Sequence, residues 1–172
     1  MNHSVMTSNV NLNSTRNVPR AAIATLLAFI AIALVPAFIG NAFPPDAWFV
    51  EWAKPSWNPP SWIFGPVWTV LYTLIGYLGY LACRSTLSIQ RYGAFSVYAI
   101  QLALNGLWTP LFFGYHGLGL ALITIVAFWV AIRLNIVAFY RIKPASGLLL
   151  IPYLLWASCA TLLNAAIWNL DR

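Results

Sequence analysis

The side chains in this sequence that can do chemistry are mostly aromatic rings and amides. Gln101, Asn105, Trp108 and Phe112 recur at the spacing of one helical stripe, and Tyr153, Trp156, Ala160 and Asn164 repeat it near the C-terminus. Trp68 and Tyr72 share a third face, and Phe128 and Asn135 a fourth. An amide left unpaired in hydrocarbon costs several kcal/mol, so these stripes are expected to face inward. Two uses are open to them. Gln101, Asn135 and Asn164 suit hydrogen bonding between helices, worth on average about 0.6 kcal/mol per bond. Asn105 with Trp68 and Trp156 points instead to a pocket, because bulky rings around one amide suit a flat apolar ligand better than tight helix packing.

The residues of ordinary catalysis are missing from this pattern. The acids are Asp46, Glu51 and Asp171, all outside the apolar blocks, so a carboxylate proton relay or cation coordination within a span is not expected. No Ser-His-Asp set, HExxH, glycine-rich phosphate loop or Asp cluster for Mg²⁺ is readable. His3 and His116 form no ligand pair, and Cys83 and Cys159 read as small packing residues, so no metal site is expected.

The elements that must hold the stripes follow from composition. Of 172 residues, 61% are apolar and 7% charged, against about 25% charged in a soluble domain. Residues 21–45, 52–83 apart from Lys54, 92–132 and 144–170 contain no Asp, Glu, Lys or Arg. This excludes a soluble enzyme. The net charge of +6 is scattered in ones and twos, which excludes a nucleic-acid partner. At about 20 residues per span, the chain divides into spans at 21–40, 62–83, 94–113, 118–140 and 146–168. Blocks apolar on every face exclude the alternation of a β-barrel. The expectation is an all-α integral membrane protein: one five-helix transmembrane bundle over residues 20–172, preceded by a disordered polar tail at 1–19. A cleaved signal peptide ending near Gly40-Asn41-Ala42 is the competing reading of the first block. Its apolar stretch exceeds the usual run of about 7–15 residues.

Lys and Arg concentrate on the N-terminal side, at Arg16, Arg20, Arg84, Arg91, Arg141 and Lys143, with Lys54 and Arg172 opposite. In a bacterial-type inner membrane this places the N-terminus in the cytoplasm; an organelle or outer membrane need not follow the rule. Arg133 lies about 11 Å inside the end of its span, at about 1.5 Å per residue. It either snorkels to the head groups or pairs with carbonyls or an anionic ligand. Between the first two spans, residues 48–62 hold four Trp and three Pro. An interfacial aromatic belt needs neither the rigid prolines nor Lys54, so residues 42–61 read as a stiff lid over one mouth of the bundle.

Four motifs then appear in order: Trp52-x-Lys54-Pro55-x-Trp57-x-Pro59-Pro60, Pro66-Val67-Trp68-Thr69-Val70-Leu71-Tyr72, Gln101-Leu102-x-x-Asn105-x-x-Trp108-x-x-Leu111-Phe112-Phe113, and Pro152-Tyr153-x-x-Trp156-x-x-x-Ala160-Thr161-x-x-Asn164. Together they resemble the tryptophan-rich sensory protein/translocator protein family, also called the peripheral benzodiazepine receptor family, from about Ala21 to Trp168. The resemblance implies a five-helix bundle, commonly a homodimer, that binds tetrapyrroles such as protoporphyrin IX and haem, sterols in some members, and benzodiazepine-type drugs. By position, Trp68 and Asn105 match ligand-contacting residues. Trp156, with Trp68, matches the pair associated with light-dependent porphyrin degradation, and Lys54 and Trp57 fall in the lid motif. The cholesterol-recognition pattern of animal relatives is absent, since 164–169 lacks the Tyr and the basic residue. Val137, Tyr140 and Lys143 fit that loose pattern elsewhere.

The reading that results is a receptor or transporter-like membrane protein whose ligand lies flat against Trp68 and Trp156. Asn105 meets the ligand's polar edge, and Lys54 at the mouth balances its propionates. Tyr72, Trp108, Tyr153 and Trp57 complete the expected site. No cofactor is required; the tetrapyrrole is ligand, and the partners are membrane lipids, small planar apolar molecules and a second copy. The rival readings are a slow porphyrin-degrading enzyme using Trp68 and Trp156, and a regulatory subunit of a membrane complex.

Overall fold

The computed structural model describes residues 14–45, 47–51, 54–84 and 88–170. Among them the chain is helical, with no strand. In order come α1 (Ser14–Asn41), the short α2 (Ala47–Glu51), α3 (Ser61–Cys83), α4 (Ser88–Thr109), a π-helical turn (Pro110–Gly114), α5 (Leu118–Ile142), α6 (Pro144–Leu148) and α7 (Ile151–Leu170). Among the described residues four segments are long and apolar enough to cross a membrane: Arg20–Asn41, Ser61–Cys83, Leu118–Ile142 and Pro144–Leu170. At 22 residues α4 has the length, but the polar residues it carries, Gln90, Arg91, Gln101 and Asn105 among them, leave it outside that set.

Several boundaries differ from the sequence expectation. α1 begins at Ser14, inside the segment expected to be disordered; once a span has nucleated, adding residues at its end costs little. Residues 1–13, with Asp46, Trp52, Asp171 and Arg172, lie outside the described residues. The last span is split into α6 and α7 by a turn at Leu149-Leu150. Pro152 has no N–H to offer the carbonyl of Leu148, so a continuous ladder is interrupted there. The lid is not wholly irregular, since α2 sits within it.

The helices pack as α1 on α3 and α4, α4 on α5, and α5 on α6 and α7. Small residues permit the close crossings. A Cβ on Gly76 would lie 2.6 Å from the Ile30 Cα, and one on Gly147 would lie 2.7 Å from the Ile136 carbonyl oxygen, so at both points backbone meets helix with no room for a side chain. Phe29, Phe95 and Tyr98 fill the same end of the bundle, with Phe29 and Phe95 stacked at 5.7 Å.

Candidate functional site

At the opposite end the helices stand apart around a cavity of about 460 Å³. Its wall is made by the C-terminal part of α1, the N-terminal part of α3, the end of α4 with its π turn, the middle of α7, and the lid. The π turn is a local consequence of Pro110. Its ring cannot donate to the Gly106 carbonyl, and the ladder resumes one residue wider, with the Tyr115 N–H donating to the Pro110 carbonyl at 2.8 Å. Phe112 and Phe113 of this turn both line the cavity.

The aromatic rings are packed on one another. Trp68 stacks on Tyr72 at 5.1 Å, Trp108 on Phe112 at 5.0 Å, and Phe64 meets Trp156 edge-on at 5.4 Å. The lid closes onto the π turn through Phe49, which meets Phe113 edge-on at 5.1 Å, and through Trp48, whose ring stacks on His116 at 3.9 Å. His116 adopts a left-handed backbone (φ 52°) in the turn before α5.

Beneath the rings runs a chain of hydrogen bonds joining three helices. The Tyr72 hydroxyl donates to Asn105 Oδ1 at 3.1 Å, Asn105 Nδ2 donates to the Tyr153 hydroxyl at 2.9 Å, and that hydroxyl donates to Gln101 Oε1 at 2.8 Å. A second pair ties α4, α7 and α5: Trp108 Nε1 donates to Asn164 Oδ1 at 3.0 Å, and Asn164 Nδ2 to the Leu118 carbonyl at 3.2 Å. Asn105 and Asn164 thus each hold helices together and line the cavity, so the two uses left open for the amides coincide in both side chains.

Of the expected site residues, the fold brings Trp68, Tyr72, Asn105, Trp108 and Trp156 onto one wall. Tyr153 is fully buried behind Asn105 and does not line it. Neither Lys54 nor Trp57 does so either; Trp57 is 50% exposed, and the Lys54 ammonium lies 4.5 Å from the centroid of Phe49, a ring that is part of the wall. Phe49, Asn58, Phe64 and Phe113 are wall residues that sequence reasoning missed. The Arg133 guanidinium lies 5.1 Å from the ring of Trp129, one turn towards the helix N-terminus. Among the described residues no group of three His, Cys, Asp or Glu could hold a metal ion.

The TspO/MBR family model matches residues 23–169. The chain belongs to the TspO/MBR family. It is 39% identical over 149 residues to a tryptophan-rich sensory protein of Cereibacter sphaeroides, covering 86% of this chain and 92% of that protein. With the tryptophan-rich protein TspO of Archaeoglobus fulgidus it shares 40% identity over 150 residues, 87% of this chain and 95% of the relative. The translocator protein of Homo sapiens is 36% identical over 137 residues, 77% and 81% of the two chains. Membership of the TspO/MBR family, with helices long and apolar enough to span a bilayer, makes this an integral membrane protein. All the wall residues named above fall within the matched family segment.

Proposed function

We propose that this protein is a membrane receptor or transporter-like protein that holds a tetrapyrrole, protoporphyrin IX or haem, in the aromatic cavity. The observation that carries the reading is a cavity of about 460 Å³ walled by Trp68, Trp108 and Trp156, with the Asn105 amide set among the rings. That size lies within the range of about 300–1,000 Å³ usual for small-molecule sites. Flat π faces suit a macrocycle, and Asn105 can exchange a hydrogen bond from Tyr72 or Tyr153 for one to the ligand's polar edge. Lys54, one ring removed from the wall, is placed to balance propionates at the mouth.

In this reading α4 with its π turn is the fifth span, packed against α1, α3 and α5, and the surplus of Lys and Arg on the N-terminal side keeps that side in the cytoplasm of a bacterial-type membrane. The lid segment closes the outward mouth, and the protein acts as a homodimer in contact with lipids. A second reading, slow light-dependent degradation of bound porphyrin with dioxygen as the oxidant and Trp68 and Trp156 as oxidisable side chains, is supported by both indoles lining the cavity. Titration of purified protein with protoporphyrin IX, followed by Trp fluorescence, tests the site. Saturable quenching is expected, weakened about tenfold or more in Trp68→Phe combined with Asn105→Ala. Unchanged quenching in that variant rejects the site assignment. A new absorbing product that accumulates under illumination marks the second reading.

A further inference from the structure

Trp156 faces two spaces. On one side it lines the cavity, and on the other it lines an apolar groove of about 560 Å³ between α3 and α7, whose lips carry Pro66, Val70, Pro152 and Leu155. Val70 and Leu155 are 66% and 64% exposed, so the groove opens on the outer surface of the bundle, which faces hydrocarbon in the membrane.

The seam under this groove is closed by side chains. α3 rests on α1 and α4, and α7 rests on α5. Between α3 and α7 the closing contacts are edge-on ring pairs, Phe64 with Trp156 at 5.4 Å and Trp68 with Tyr153 at 6.3 Å. The indole nitrogens also differ. Trp108 Nε1 donates to Asn164 and Trp129 Nε1 donates to Ser158 at 2.7 Å, whereas Trp156 Nε1 is buried with no hydrogen-bond partner among the described residues. Turning the Trp156 ring therefore breaks no hydrogen bond, and an acceptor on an entering molecule gains a donor.

Resting on the reading that the cavity holds a flat apolar ligand, we propose that the α3/α7 groove is a membrane-facing entry site for that ligand and that Trp156 is its gate. A planar apolar molecule dissolved in the bilayer passes from the groove to the cavity without crossing water. This avoids a transfer cost of about 25 cal/mol for each Å² of apolar surface. Among the described residues the groove is lined by no charged side chain, and its two prolines present no N–H that would have to be desolvated.

The test uses full-length protein in vesicles, with protoporphyrin IX supplied from donor vesicles and removed by excess protein-free vesicles, read by Trp quenching. Val70→Trp with Leu155→Trp narrows the groove from the lipid side, and neither residue belongs to the cavity wall. A narrowed doorway slows entry and exit alike: both rates are expected to fall about tenfold while affinity stays within about twofold. The pair Val70→Ala with Leu155→Ala is expected to speed both rates, which keeps the test readable should the bulky pair fail to insert. Rates equal to those of the parent protein in the variants that fold overturn the doorway and leave the cavity reading standing. Absence of saturable quenching in the parent protein overturns both.

Discussion

α1 and α3 run together for most of their length yet behave differently at their two ends. At Gly76 the space for a Cβ is already filled by the Ile30 backbone, and α1 lies directly on α3. Further along the same two helices, residues between Leu34 and Asn41 of α1 and between Ser61 and Tyr72 of α3 line the cavity. Hydrophobicity does not separate the two ends, since both are apolar. Side-chain size does: glycine lets backbones meet, whereas Phe64, Trp68 and Trp108 hold the helices apart without filling the space between them. A flat ligand occupies the volume that the rings leave open.

The contrast is broken most directly on α3 itself. Gly76→Leu must push α1 away from α3, with an expected loss of about 3 kcal/mol, the upper part of the usual overpacking range. Gly65, on the same helix at the cavity end, has nothing within 4 Å of its Cβ position, and Gly65→Ala is expected to leave stability unchanged or raise it slightly. Thermal unfolding in detergent compares the two. Equal effects would mean that the packed end is as yielding as the open one.

Next in size is an amide where packing and binding meet. Asn105→Leu keeps the volume but removes the bonds to Tyr72 and Tyr153. The expected cost is about 1–2 kcal/mol, with two bonds lost at the modest values measured inside membranes. Porphyrin affinity is expected to fall in the same variant. A loss of affinity at unchanged stability would assign Asn105 to the ligand alone and separate the two ends more sharply.

Much of this contrast was legible in the sequence because helical periodicity is regular. The stripe from Gln101 to Phe112 and the stripe from Tyr153 to Asn164 lie where 3.6 residues per turn puts them, and they meet through Asn105–Tyr153 and Trp108–Asn164. The periodicity fails where proline interrupts it: Pro110 opens the π turn that carries Phe112 and Phe113, and Pro152 helps to split the last span. The lid was legible only as a segment. Its side chains are sorted by contacts with distant elements, which place Phe49 against Phe113 and leave Trp57 half exposed, and residue type alone does not report those contacts.

The smallest expected effect gives the sharpest comparison, because it sets two tryptophans of one cavity against each other. Trp108→Phe and Trp156→Phe remove the same part of a ring, so their cavity costs largely cancel in the difference. What remains is the indole N–H. At Trp108 its loss deprives Asn164 Oδ1 of the donor it has at 3.0 Å, a cost of about 1 kcal/mol. At Trp156 the N–H has no partner among the described residues, so its removal gives up no hydrogen bond and relieves a buried donor. Trp108→Phe is therefore expected to lower stability by about 1 kcal/mol more than Trp156→Phe. Equal losses would show that the Trp156 N–H is tethered in the membrane, and a tethered indole could not turn freely between groove and cavity.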